Sequence, residues 1–248
     1  MRVKAYIVHL ERSTARHRQV RELAKSLPLP TAVLPAVDGR LLDEVTRRRV
    51  VRRRIHSPRY PFKLLDTEVG CFLSYRRAWE AMLADGCDAG LIAEDDVAAA
   101  SPRFIDVIEH AIAAIQPDEY IRFPLHERGE GVIPPSASKS FAIIEPRLPG
   151  LGMQMQLVGR EAARRLLAAS EVFDRPVDSF VQMQWIHGAR VLSARPVIIR
   201  EVDFALGGSV VQLKNGGLVH KAVHEFRRPI LRMAVRVANE RWRRRSAA

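Results

Sequence analysis

Three carboxylates, Glu94, Asp95 and Asp96, stand side by side directly after the apolar run at 89–93. Like charges this close repel, so the fold must offset them with hydrogen bonds or a cation. A divalent metal held by carboxylate oxygens does so and can hold a diphosphate at the same time. Along an extended segment side chains alternate, so Glu94 and Asp96 point one way and Asp95 the other. Glu94 and Asp96 are therefore the expected metal pair, and Asp95 the residue that meets a ribose or a backbone group. A solvated acidic turn is the plain alternative for so short a motif.

The elements around the triplet favour a site. Residues 3–10 are apolar and β-prone, 14–27 have helical spacing ended by Pro28 and Pro30, and 31–37 form a second short strand closed by Asp38-Gly39. That is the opening of an α/β sheet, whose ligands collect at the carboxyl ends of strands. Residues 41–55 read as a basic helix. Asp66 or Thr67 caps a longer one with Glu68 in its first turn. Strand patterns follow at 89–93, 120–123, 141–145 and 153–158, and helical ones from Ser101, at 160–169 and at 176–187. Residues 191–199 read as extended. The Pro-, Gly- and Ser-rich stretch 124–152 is the expected place for active-site loops. Glycines punctuate 206–217, and 224–245 is a basic amphipathic helix. One domain over 1–205 is expected, in two parts, 1–100 and 101–205, followed by the loop and helix of 206–248.

Composition narrows the classes. The 248 residues hold 47% hydrophobic and 27% charged side chains, the balance of a globular protein. No apolar run approaches the ~20 residues that span a bilayer. The N-terminal stretch reads as a first strand and not as a signal peptide, so a cytoplasmic location is expected. Cys71 and Cys87 form neither a disulfide framework nor a metal-ligand spacing. The net charge of +12 attracts anions of any kind: phosphorylated substrates, anionic lipid or nucleic acid.

Several segments together resemble glycosyltransferase family 25, the group of lipooligosaccharide and collagen galactosyltransferases. They are YIVHLERSTARHRQV near the N-terminus, the AVDGR turn at 36–40, TEVGCFLSYRRAWEAML and the EDDV cluster, with GLGMQMQLVGREAARRLL and PVDSF further on. The resemblance implies an α/β, GT-A-like fold with a Rossmann-type nucleotide-binding sheet and an acceptor-binding C-terminal half. It implies a UDP-sugar donor, UDP-galactose first, Mn²⁺ (or Mg²⁺) at the acidic motif, and inversion at the sugar carbon. The chain departs from the family pattern at His9 and Glu11, at Ser74-Tyr75 and at Gln156.

Within that reading Asp96 serves the metal and the chemistry, and Asp178 of PVDSF is the candidate general base. Helix capping is the equal alternative for Asp178. Arg12 and Arg16 are expected near phosphate, or else as a solvated helical turn. Asp38 is expected near the nucleotide, or as the first residue of its Asp-Gly turn. Glu68 and Ser74 are expected beside the donor, with helix-dipole compensation as the plain role of Glu68. His187, His220 and His224 are all open as a further metal ligand.

The partners expected are a nucleotide-sugar donor, a glycan or glycolipid acceptor of the lipopolysaccharide type, and an anionic membrane surface reached through 224–248. In that helix Arg228, Arg232 and Arg236 form one row and Phe226, Ile230, Met233 and Val237 another. Docking of the helix on its own domain is the alternative. Two rival classes remain. A degenerate glycosyltransferase acting as a scaffold is suggested by the departures at Ser74-Tyr75 and Gln156. A nucleic-acid binder is suggested by the arginines at 47–54, but aromatics are only 6% and no recognition motif accompanies them.

Overall fold

A computed structural model describes residues 1–127, 132–133, 141–202 and 218–246. The glycine-punctuated stretch 206–217 and most of the expected loop at 128–140 lie outside the described residues.

The β-prone N-terminus forms β1 (Val3–His9), and helix α1 (His17–Ser26) crosses over to β2 (Thr31–Pro35), which pairs parallel to β1. Helix α2 (Glu44–Val50) and the long helix α3 (Asp66–Ala84) lead to β3 (Ala89–Glu94), parallel to β1 on its other edge. The chain continues through β4 (Val97–Ala99), α4 (Phe104–Ala114), β5 (Glu119–Arg122), β6 (Val132–Ile133), β7 (Ala142–Pro146) and β8 (Met155–Gly159). Helices α5 (Arg160–Ala169), α6 (Val177–Val181) and α7 (Gln184–His187) precede β9 (Arg190–Arg195), β10 (Ile199–Glu201) and α8 (Leu218–Ser246).

One eight-stranded sheet has the order β2-β1-β3-β8-β5-β9-β7-β6, and β4 pairs with β10 beside it. Strands β2, β1, β3, β5, β9 and β6 run one way; β8 and β7 run the other. This is the expected α/β, GT-A-like arrangement: a parallel first part, then a part that returns through an antiparallel strand. Because β8 lies between β3 and β5, the two sequence halves share one sheet.

Both faces are covered, and alternation decides which residue goes where. Ala5 and Ile7 of β1 and Leu91 and Ala93 of β3 meet Val20 and Leu23 of α1 and Val107, Ile108 and Ala111 of α4. Tyr6, Val8 and Ile92 meet Phe72, Trp79 and Met82 of α3 on the opposite face. Strands buried on both sides need continuous apolar sequence, which accounts for the run before Glu94.

Two glycines fix the turn next to the site. A Cβ on Gly70 would lie 2.6 Å from the Val37 carbonyl oxygen, and one on Gly39 would overlap the Asp66 carbonyl. The Asp38 turn therefore lies directly on α3, as only glycines allow.

Some expected boundaries shift for physical reasons. The basic helix expected over 41–55 is reduced to α2, because Val50 and Arg52 turn instead to the backbone of Phe173, with N–H···O distances of 2.8 and 3.1 Å. Clustered arginines gain nothing from continuing a helix there. Leu65 precedes the first residue of α3, and neither Asp66 nor Thr67 caps it; Glu68 Oε2 reaches back to Leu65 N at 2.8 Å. The helix expected over 176–187 breaks into α6 and α7 at Gln182-Met183, and the extended stretch of 191–199 is interrupted between β9 and β10.

Candidate active site

Glu94 closes β3, and Asp95-Asp96 form the turn into β4 at the carboxyl end of the parallel strands. The turn is tied down by Glu94 N to Gln154 O and Val202 N to Asp96 O, both 2.8 Å. The alternation expected from sequence holds for Glu94 and Asp95. Asp95 turns to the α1 face, where it is 5% exposed and accepts from His9 Nδ1 at 2.7 Å, from Leu10 N at 3.4 Å and from Arg16 Nη1. All these partners are protein groups, so Asp95 anchors the turn. Arg16 is 6% exposed, not solvated, and its Nη1 also lies 3.0 Å from Asp96 Oδ2. The guanidinium thus offsets two of the three acids.

Glu94 turns to the α3 face. Its Oε1 lies 3.0 Å from the Tyr75 hydroxyl, which also bonds the Met153 carbonyl. One phenolic hydrogen cannot serve both acceptors at once. When Glu94 is protonated it donates to the phenolic oxygen, and the phenol then donates to Met153. Burial, followed by the negative charge of Asp96, pushes the Glu94 carboxyl up to about 8; the Tyr75 bond opposes the rise. The charge of Asp96 thus disfavours ionised Glu94.

Cys71 of α3 senses the nearby acids. Desolvation raises its thiol, and the charges of Glu94, Asp178, Glu68 and Asp96 raise it further, in that order. The four carboxylates, from β3, the following turn, α3 and α6, all lie within electrostatic reach of Cys71. Asp178 is half-buried in the first turn of α6, where Pro176 occupies the capping position. Its carboxylate accepts from Ser179 N at 2.6 Å and Gly152 N at 3.4 Å, which ties it to the loop before β8.

Arg12 and Asp38, proposed separately from sequence, are partners: Arg12 Nε bonds Asp38 Oδ2, and Asp38 Oδ1 accepts from Arg40 N at 3.0 Å. Burial acts upward on the Asp38 carboxyl, but Arg12 and the Arg40 N–H outweigh it and hold the carboxyl below its ordinary value. Ser74 is 4% exposed and bridges Val37 N (2.8 Å) and Gly70 O (2.7 Å), so it holds the Asp38 turn against α3. Glu68 both caps α3 and contributes charge to the acidic region.

His187 does not join the acids. It is buried behind α7, its Nε2 bonded to Val181 O and its Nδ1 accepting from Ala189 N, both 3.1 Å, which fixes a neutral tautomer. His220 and His224 lie outside the described side chains. Residues that sequence reasoning did not place at the site are Tyr75, Cys71 and Arg122, whose Nη2 holds Leu151 O at 2.8 Å and Gly152 O at 3.3 Å. Tyr75 and Gln156 were visible only as departures from a family pattern. In the fold they are neighbours beside Glu94.

Among the described residues, no three or more His, Cys, Asp or Glu side chains group to hold a metal. Two carboxylates suit a cation of the Mg²⁺ or Mn²⁺ kind, which keeps waters and takes substrate phosphates as its remaining ligands.

The chain is thus an α/β protein with acidic residues at the carboxyl ends of its parallel strands, where open α/β sheets bind their ligands. The model of the family described as glycosyltransferase family 25 (LPS biosynthesis protein) matches residues 2–129, and the chain belongs to this family. A rat (Rattus norvegicus) protein named probable inactive glycosyltransferase 25 family member 3 is 24% identical over 232 residues, covering 82% of this chain and 38% of its own length. An Aedes aegypti protein named glycosyltransferase 25 family member is 29% identical over 116 residues, 46% of this chain and 18% of its own. The chain thus spans less than two fifths of these curated relatives. Among solved structures, a mannose-1-phosphate geranyltransferase from Thermus thermophilus aligns at a TM-score of 0.41 and 10% identity, over 80% of this chain and 75% of its own. A glycosyltransferase involved in glycosylation of the major capsid of PBCV-1 aligns at 0.34 and 12%, over 68% and 66%.

Proposed function

We propose that the protein is an active glycosyltransferase that moves a hexose, galactose first among candidates, from a UDP-sugar to a lipid-linked glycan acceptor with inversion. The observation that carries this reading is the position of Glu94 and Asp96 at the carboxyl end of β3, where the buried Arg16 lies 3.0 Å from Asp96. Glu94 and Asp96 would hold a divalent cation, Mn²⁺ or Mg²⁺, which neutralises the leaving diphosphate. Arg16 keeps Asp96 in place through the 3.0 Å contact. Asp178, oriented by the Ser179 and Gly152 N–H groups, would take the proton of the acceptor hydroxyl. The paired Arg12 and Asp38 would face the nucleotide from the turn fixed on α3.

UDP release from UDP-galactose with Mn²⁺ and a glycolipid acceptor tests the reading. Loss of turnover in Asp96→Ala and in Asp178→Asn is expected, with NMR of the product giving the anomeric outcome. Full activity in Asp96→Ala would remove that residue from the mechanism.

A second reading has its own support. Tyr75 already satisfies Glu94 within the protein, as in a scaffold that no longer binds metal. Thermal stabilisation by UDP with Mn²⁺ separates the two: a shift supports the enzyme, and none with any nucleotide supports the scaffold.

A further inference from the structure

Sequence leaves two roles open for the C-terminal helix, and the structure lets it fill both. One face of α8 is fixed to the body. Asn239 is fully buried, donating from Nδ2 to Gln182 O at 2.8 Å and accepting from Gln184 N at 3.2 Å. Val235 is 3% exposed on the same side, and Arg243 reaches Glu145 at 2.9 Å. The core contact is thus made without the apolar row Ile230, Met233 and Val237. These three are 69%, 60% and 37% exposed, and their spacing of three and four residues puts them in one line along the helix. Exposed Arg241 and Arg244 extend that line toward the C-terminus.

We propose that this outward face of α8 binds an anionic phospholipid surface, lying in the interface with Ile230, Met233 and Val237 inserted and the arginines at headgroup level. Between 227 and 245 the helix carries eight arginines and a single acid, Glu240, which Arg236 engages at 3.2 Å. That surplus suits anionic headgroups, and arginine stems can lie along the apolar boundary while their charge stays in water. A second copy of this face would meet like charge. A polynucleotide would gain nothing from burying the apolar row.

The surface also leads toward the acidic centre. Pro58, Arg59 and Pro61 face Arg227, Ile230 and Leu231 across a cavity of about 240 Å³. Tyr60, in the same loop, lies over the Arg175 guanidinium at 5.9 Å and within electrostatic reach of Asp178. The lipid contact itself does not depend on how the acidic centre is read.

Flotation of the full chain with phosphatidylcholine vesicles, with and without phosphatidylglycerol, tests the proposal. The protein is expected to float only with the anionic vesicles. The double variant Ile230→Ser/Met233→Ser should weaken that binding by about tenfold or more, since two large side chains lose their burial. Its unfolding midpoint should not move, because both side chains are exposed. Arg241→Glu/Arg244→Glu should weaken binding in the same assay. Absence of flotation with anionic vesicles would overturn the proposal. So would undiminished binding by the serine variant, which would leave only bulk charge, or a lipid-free dimer in light scattering that this variant dissolves.

Discussion

Tyr75 is where the chain's own chemistry departs from its family, and its environment gives that departure consequences. The phenol is 1% exposed and bonded to Glu94 and to the Met153 carbonyl. Tyr75→Phe leaves both groups desolvated without this partner, which costs on the order of 1–3 kcal/mol. Urea unfolding at neutral pH without metal should show that loss. The bond also opposes the upward shift of Glu94, so the variant's carboxyl moves further up. His187 gives a second prediction at this scale. Burial lowers it from 6.5 to about 4, with the Val181 hydrogen bond acting the other way. Between those values the unfolded chain binds more protons, so stability rises with pH. The contribution is complete above about 6.5 and is lost as pH falls toward about 4. Urea unfolding across that window should show His187→Gln losing less stability than the native chain, by on the order of 3 kcal/mol. The separation of Glu94 from Asp95 was legible in sequence, because alternation needs only a strand. The engagement of Asp95 by His9 and Arg16 was not, since it joins residues about eighty positions apart.

At the level of elements, the segment after α2 is held by charge buried among apolar groups. Asp174 accepts from Ile55 N at 3.1 Å and His56 N at 3.3 Å, and Arg175, 1% exposed, pairs with it at 2.7 Å and donates to Pro58 O at 2.9 Å. Neutralising one partner strands the other. Asp174→Asn should therefore destabilise the protein by about 3 kcal/mol in chemical denaturation. The same substitution should loosen 55–60, which hydrogen exchange would report as faster amides at Ile55 and His56. Periodicity found most helices and strands here, because α3, α4 and α5 each bury one apolar side. It overextended α2 and fused α6 with α7, because in both places distant groups, the Phe173 backbone and the Asn239 side chain, and not local spacing, decide where the helix stops. The carbonyl and N–H of Phe173 do so for α2.

For the whole molecule, the parallel opening β2-β1-β3 was legible because each strand is joined to the next through helices, which forces parallel neighbours. The insertion of β8 between β3 and β5 was not, since pairing across the chain has no local signal. The same holds for the anchoring of the α6–α7 region by the C-terminal helix. Asn239 holds both Gln182 O and Gln184 N at the α6–α7 break. Gln182 Nε2 in turn bonds Pro149 O, and Gly152 of that loop donates to Asp178. The C-terminal helix is thereby linked to the candidate base through the loop at 149–152. Removing the amide leaves a carbonyl and an N–H buried without a partner, a cost of about 2–4 kcal/mol. Asn239→Ala should lower stability by that amount. In an active enzyme it should lower kcat more than it raises KM, because the helix acts on Asp178 and not on the nucleotide site. Asn239→Ser, which can restore one of the two bonds, should recover part of both losses. A destabilised variant with unchanged kcat would confine Asn239 to holding the helix in place.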